Sequence, residues 1–191
     1  MPRDGFDQRA IAKRRLAAER GFVAPADAPT RVCLAYPSPY MVAMSSLGFQ
    51  TIFRELAARP DVAVDRAFLP DDKAAVDALK GAEEPLIAYA TERRVADFPV
   101  VALSFAYELE IAGLFDFLAL SGIPVLAAER SKDDPIVIIG GPITFSNPFP
   151  LSPFADAIVL GEADQAIHAL VLAQAIRRPA TLLLRSMYQF N

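Results

Sequence analysis

The hydrophobic pattern of the chain alternates between two kinds of segment. Short aliphatic runs that stop at glycine, serine or proline are typical of buried strands, and longer segments with apolar residues three or four apart are typical of helices. Strands are predicted at residues 31–36, 62–68, 100–103, 136–139 and 157–160, further extended pieces at 85–90 and 123–126, and helices at 45–59, 74–79, 107–121 and 164–178. This alternation predicts an α/β fold with a doubly wound, Rossmann-like parallel sheet.

The N-terminal part of the chain has a different pattern. Residues 1–20 are predicted to form a short, polar and partly basic helix, a solvated extension that packs on something else. Residues 21–30 (GFVAPADAPT) have the composition of a linker.

The ends of the predicted strands carry small and hydroxylated residues. In a parallel sheet the carboxyl ends of the strands share one edge, where open α/β folds bind ligands. The candidate residues at this edge are Ser38, Tyr40, Ser104, Gly140, Gly141, Gly161 and Glu162. Because glycine lets a ligand approach the backbone closely, these positions predict a groove suited to the tail of a nucleotide-like cofactor. Ordinary turn chemistry without a ligand is the alternative explanation.

Composition and missing motifs exclude several kinds of site. A net charge of −4 and a pI near 5.0 argue against a general nucleic-acid surface. Cys33, the only cysteine, cannot form a disulfide, a zinc site or an iron–sulfur cluster within the chain and is predicted to be buried and inert. The chain has neither a G-x-G-x-x-G motif nor a P-loop.

The single histidine and the acidic residues of the helix at 107–121 are not predicted to form a site. His168, the only histidine, is predicted to be an ordinary helix residue. Glu108, Glu110 and Asp116 are predicted to form a solvated helix face.

The sequence predicts a cytoplasmic protein that has no membrane partner. The first 20 residues lack the apolar core of a signal peptide. The longest uncharged stretch, residues 135–155, is interrupted by prolines and glycines and cannot be a continuous spanning helix.

Four stretches of the chain occur in an order and spacing that is specific when they are taken together. They are Tyr36–Gln50 (YPSPYMVAMSSLGFQ), Thr91–Leu109 (TERRVADFPVVALSFAYEL), Ser121–Arg130 (SGIPVLAAER), and Pro135–Glu162 with its GGP, NPFPL and GE elements. Together they resemble the N-terminal cobalamin-binding-like domain of B12-type radical SAM proteins, over about residues 31 to 175.

The resemblance implies a flavodoxin-like sheet, followed in full-length relatives by a barrel. In that barrel a C-x-x-x-C-x-x-C motif binds a [4Fe–4S] cluster and S-adenosylmethionine. This chain has no such motif, so both are expected only on the missing barrel, in cis or in trans. The domains expected on this basis are a helical extension and linker (1–30), a cobalamin-binding-like α/β domain (31–178) and a truncated C-terminal connection (179–191).

The resemblance also implies cobalamin as a cofactor. Cobalamin domains that ligate cobalt through a histidine carry D-x-H-x-x-G after the first strand, whereas Pro37–Gly48 contains no histidine. Cobalamin would then be held by its nucleotide tail, without a protein ligand to cobalt. Carried over by position, Ser38 and Tyr40 would face the corrin, Ser104, Gly140 and Gly141 would face the tail, and Gly161 and Glu162 would close the groove.

The chain is therefore predicted to be an accessory domain of a radical SAM protein, without a catalytic motif of its own. One alternative is a protein-interaction or scaffold module that keeps the fold and binds no cofactor. The other is a flavin- or nucleotide-binding module, against which the lack of a phosphate-binding loop argues. The uncharged segment Pro142–Phe154, with Phe145 and Phe149, is the predicted docking surface for the barrel.

Overall fold

The protein is built on a six-stranded parallel sheet. The computed structural model describes residues 6–21, 24–25 and 27–160 and the backbone of residues 182–185. The strands are β1 (Thr30–Pro39), β2 (Val62–Leu69), β3 (Val100–Ser104), β4 (Ile136–Gly140), β5 (Ala157–Leu160) and β6 (Leu182–Arg185). Their order in the sheet is β2-β1-β3-β4-β5-β6, and every neighbouring pair is parallel. The first five strands have the flavodoxin order, which confirms the predicted fold class.

Helices connect the strands and begin and end at residues suited to those positions. They are α1 (Gln8–Ala18), α2 (Tyr40–Ser45), α3 (Leu47–Ala57), α4 (Lys73–Ala82), α5 (Ile111–Ser121) and α6 (Ile143–Ser146), with 3₁₀ turns at Val95–Asp97, Glu108–Glu110, Ala127–Glu129 and Phe149–Phe154. Ser46 caps α3 by accepting a hydrogen bond from the Phe49 amide, and Asp72 caps α4 through the Ala75 amide. Gly122 ends α5 with a φ of 70°.

Alternate residues of each strand enter one of two hydrophobic cores. On β3, Val101 and Leu103 belong to the core that α4 and α5 cover, whereas Val100 and Ala102 belong to the core that α1, α2 and α3 help to cover. All five residues of β3 are buried. Burial on both faces explains why the strands are continuous aliphatic runs rather than alternating ones.

Two predicted extended pieces are not strands. Residues 85–90 contribute only a single isolated antiparallel bridge, and residues 123–126 form no strand. Both pieces are nevertheless buried, since Leu86 and Ile123 lie in the hydrophobic core. A short buried apolar run has the same pattern whether or not it pairs with a strand, so the sequence alone does not decide whether these extended pieces join the sheet.

The sheet differs from the sequence prediction at two places: β1 is longer, and there is a sixth strand. β1 continues past Tyr36 to Pro39, with an irregular register against β2 between these two residues. Residues 182–185, which the sequence placed in a C-terminal connection, pair with β5 as strand β6. The predicted helix at 164–178, with His168, lies outside the described residues.

The predicted N-terminal helix is present as α1. It packs on this domain, although most of its residues stay at least partly exposed. Ala12 is fully buried, and the Gln8 side chain lies against the connection between α4 and β3. There the Gln8 amide nitrogen donates to Glu84 at 2.9 Å and to the Pro85 carbonyl at 2.8 Å. Because a few polar side chains, rather than an apolar stripe, hold α1 in place, its composition does not show which surface it packs on.

Within the described residues, no helix combines the length and the apolar character needed to cross a bilayer.

Candidate functional site at the carboxyl edge of the sheet

The topological switch point of the sheet lies between β1 and β3. The connection from β1 leads to β2 on one side, and the connection from β3 leads to β4 on the other. In open α/β sheets the crevice at such a point, outside the carboxyl ends of the strands, is the usual ligand site. Ser38, Ser104 and Gly140 lie at the carboxyl ends of their strands, at this edge of the sheet.

The structure brings three of the predicted site residues together. Ser104 at the end of β3 lies directly opposite Gly140 at the end of β4, and Gly141 follows. Ser38 lies near the end of β1 and is half-buried. Gly161 and Glu162 lie outside the described residues. The ligand-binding roles of all these residues stay predictions.

Packing within the chain accounts for Gly141. Its φ is 113°, and a Cβ atom at this position would lie 2.2 Å from the carbonyl oxygen of Phe105. The Phe105 amide also donates to the Gly140 carbonyl at 2.8 Å. The space left by the missing Cβ is therefore filled by the loop after β3. A Cβ atom on Gly140 would fit without a clash, because it would lie 3.7 Å from the Cβ atom of Val159, which is an ordinary van der Waals contact.

A second close approach joins α5 to the end of β1. A Cβ atom on Gly113 would lie 2.0 Å from the Pro37 carbonyl oxygen, so any side chain there would push the helix away from the strand. The contact therefore fixes α5 against the end of β1 through backbone.

Tyr40 makes its polar contacts within the chain. Its hydroxyl donates to Glu19 at 2.8 Å, the Arg15 guanidinium lies 4.8 Å from its ring centroid, and its ring stacks on Tyr89. Burial, and next the hydrogen bond to the Glu19 carboxylate, raise the pKa of Tyr40 to about 12. Tyr40 could face a corrin only if α1 released it.

Glu110, at the switch point, is a residue that the sequence prediction missed. It was expected on a solvated helix face, but only 3% of it is exposed. Its Oε2 accepts a hydrogen bond of 2.7 Å from the Ala106 amide, and its Oε1 is buried without a hydrogen-bond partner. Glu110 falls in the first turn of the helix predicted at 107–121, and an acidic residue there is a signal of a local role, because carboxylates favour helix N-termini.

Tyr36 is a close polar neighbour of Glu110. Burial is the main cause that raises the pKa of the Tyr36 hydroxyl, and the Glu110 carboxylate is the next. The last register pair of β1 with β3 is Ala35 with Leu103, so Tyr36 comes next along β1 as Ser104 does along β3. The switch point therefore holds a tyrosine hydroxyl and a carboxylate, while Gly140 leaves β4 without a side chain there.

The carboxyl edge also carries the most exposed apolar side chains of the described residues. They are Met41 and Leu47 after β1, Tyr107 and Leu109 after β3, and Phe145 and Phe149 after β4. Leu109 is 84% exposed and Phe149 72%. Scattered single apolar residues are normal on a surface, but a concentration at one edge is typical of an interaction site.

The chain lacks the ligands for an iron–sulfur cluster. Cys33 is its only cysteine, and it lies fully buried in β1, where burial and then the Asp65 carboxylate raise its thiol pKa. Among the residues described, no group of three histidine, cysteine or carboxylate side chains could hold a metal ion. A cluster needs several deprotonated thiols, so the residues present do not fit one.

Comparison with known proteins identifies a family. A sequence model of the family described as radical SAM proteins, N-terminal, matches residues 48–183, well over half of the chain. The matched range runs from the start of α3 into β6. Comparison with the curated proteins gives no match.

Proposed function

Because the chain belongs to the family of radical SAM N-terminal domains, we propose that it serves as an accessory domain whose carboxyl edge docks on the radical SAM domain. The [4Fe–4S] cluster and S-adenosylmethionine belong to that catalytic domain. This chain contributes a rigid α/β platform and a surface, and no residue of it is assigned a catalytic role.

The observation that carries this proposal is the concentration of exposed apolar side chains at one edge. Three separate loops contribute them, and each loop follows a different strand. Loops that follow parallel strands lie at the same edge of the sheet, so the apolar side chains share one side of the domain. Aromatic residues such as Tyr107 and Phe149 are enriched in the centres of protein interfaces.

The proposal is tested by measuring association with the radical SAM domain that works with this chain, supplied as a separate polypeptide. Leu109→Ser and the double change Phe145→Ser/Phe149→Ser should each weaken association about tenfold or more, because buried anchors dominate interface energies. Leu126 is the matched control. It is 40% exposed and lies in the connection that enters β4 at the opposite edge of the sheet.

Leu126→Ser should leave association unchanged. Thermal unfolding of each variant should match that of the original chain, since the altered side chains are exposed. Equal association for the edge variants and the control would reject the carboxyl edge as the docking surface.

Cobalamin binding at the same edge is a second candidate function. The position of Ser104 opposite Gly140 favours it, because a hydroxyl next to bare backbone suits a nucleotide tail. The chain is mixed with hydroxocobalamin, desalted and examined by visible spectroscopy. Corrin bands at about one per chain that are lost in Ser104→Val would support binding there. A folded chain that retains no corrin would remove this candidate and leave the docking function.

A further inference from the structure

Glu110 combines deep burial with an incomplete set of hydrogen bonds. Its Oε2 binds the Ala106 amide, whereas Oε1 has no partner and is closed to solvent. Among the described residues no lysine or arginine forms an ion pair with it. A buried carboxylate without a cation is costly, and proteins normally pair such a group or neutralise it.

The known contacts of Glu110 do not remove this cost. The bond from Ala106 explains why an acceptor stands at the start of α5 but leaves Oε1 unused. The Tyr36 hydroxyl is close enough to the carboxylate for its charge and a weak hydrogen bond to help raise the Tyr36 pKa, but no hydrogen bond of ordinary geometry reaches Oε1. A neutral hydroxyl would in any case leave the charge uncompensated.

The surroundings of Glu110 point to the missing partner. Tyr107, Glu108 and Leu109 come directly before it in the chain and are exposed, and Leu109 is the most exposed apolar side chain of the described residues. The buried acceptor thus lies within the apolar edge that was proposed as the docking surface. Interface hot spots often place an arginine in such a desolvated pocket with apolar residues around it.

We infer that Glu110 Oε1 accepts a hydrogen bond from a cationic side chain, an arginine or a lysine, of the docked radical SAM domain. The inference rests on the proposed docking function and names the polar anchor of that interface. Because Oε1 is closed to solvent in the free domain, docking has to move the side chains that surround it. The cation then completes the hydrogen bonds of the carboxylate and neutralises it.

The test compares Glu110→Gln with Glu108→Gln in the same association measurement. The glutamine keeps the size of the side chain and removes its charge. Glu108 is exposed in the same turn, so its substitution controls for a general loss of negative charge. Glu110→Gln should weaken association about tenfold or more, because it leaves the partner's cation buried and unpaired, and Glu108→Gln should change it less than about twofold.

The stability of the free domain gives an independent readout. Because Oε1 has no partner there, Glu110→Gln should leave the urea midpoint unchanged or raise it. A marked drop in the midpoint would mean that the charge has a partner within the chain, and it would overturn the inference.

The outcomes also separate this inference from the docking proposal. If Leu109→Ser weakens association and Glu110→Gln does not, the docking surface stands and the cationic anchor is rejected. If neither change weakens association, both are rejected.

Discussion

The Glu19 carboxylate at the end of α1 binds the Arg66 guanidinium of β2, with 2.8 Å between Oε2 and Nη2. The two side chains are only 11% and 2% exposed. The same guanidinium lies 4.4 Å from the centroid of the Phe53 ring, and Glu19 also accepts the hydrogen bond of Tyr40. One carboxylate therefore ties the N-terminal helix to the sheet and to α2.

Removing this carboxylate should destabilise the domain strongly. Glu19→Ala leaves the Arg66 charge buried and unpaired, and we expect the free energy of unfolding to fall by about 3 kcal/mol. Urea unfolding followed by circular dichroism measures the change. The control is Asp77→Ala, since the pair of Asp77 with Lys73 is exposed and its loss should cost less than about 1 kcal/mol. Similar losses in both variants would mean that α1 contributes little to the fold.

The raised pKa of Tyr40 predicts a specific loss of stability at alkaline pH. A pKa of about 12 in the folded domain lies above the ordinary value of 10.0, so the folded state favours the neutral hydroxyl. The resulting stabilisation is complete below pH 10 and is lost as the pH rises from 10 towards 12. Tyr40→Phe removes the group that titrates, together with its hydrogen bond to Glu19.

The measurement compares urea unfolding of the original chain and Tyr40→Phe at pH 8, 10 and 11. The original chain should be the more stable at pH 8, by about 1 kcal/mol for the hydrogen bond, and its advantage should shrink above pH 10. A difference that stays constant across this range would show that the hydroxyl is free to ionise in the folded domain.

Backbone contacts predict opposite effects for two glycine substitutions. Gly141→Ala should lower the free energy of unfolding by more than about 2 kcal/mol, because the φ of 113° and the Phe105 carbonyl both exclude a Cβ atom. Gly81 lies within α4 with no atom near its Cβ position, so Gly81→Ala should raise the stability by about 0.5–1 kcal/mol. Thermal unfolding distinguishes the two signs. A neutral Gly141→Ala would mean that the loop after β3 yields easily, and the site would then have room for a ligand.

How far the sequence predicts this domain depends on the range of the interactions involved. The aliphatic runs identify β3, β4 and β5 because both of their faces are buried, and this is a property of each strand alone. The burial of Glu110 is set by a turn that brings the Ala106 amide back onto its side chain, and no periodic pattern records such a turn. The sequence pattern likewise does not record that the Phe105 backbone occupies the place of a Cβ atom at Gly141, and a ligand-binding role for Gly141 stays a prediction.

The hydrophobic pattern of the sequence does not predict the long-range polar contacts either. The attachment of α1 depends on Gln8, whose partners Glu84 and Pro85 lie more than seventy residues away, and the helix lacks the apolar stripe that signals packing. Phe145 and Phe149 lie exposed in the segment predicted as a docking surface. Ile143 and Leu151 of the same segment are buried in the core, and the sequence pattern does not predict this division.

Asp65 anchors the connection that enters β3, and its substitution gives a graded test. It is only 2% exposed, and its carboxylate accepts from the Ala90 amide at 3.0 Å and from the amide and hydroxyl of Thr91 at 2.8 and 2.7 Å. It also accepts from the neighbouring Arg66 amide at 2.7 Å. Asp65→Asn replaces one accepting oxygen with a donor and should cost about 2–3 kcal/mol, as expected for hydrogen bonds to a charged group. Thr91→Val removes the hydroxyl bond to Asp65 and the long bond of 3.4 Å that the hydroxyl accepts from the Arg93 amide, and it should cost about half as much.

Urea unfolding ranks the two variants, and hydrogen exchange locates the effect. Faster exchange of the amides of residues 88–91 in Asp65→Asn, with unchanged exchange in α5, would show that the carboxylate fixes this connection locally. Equal losses in Asp65→Asn and Thr91→Val would mean instead that the Thr91 hydroxyl carries the whole effect and that the two amide bonds contribute nothing measurable.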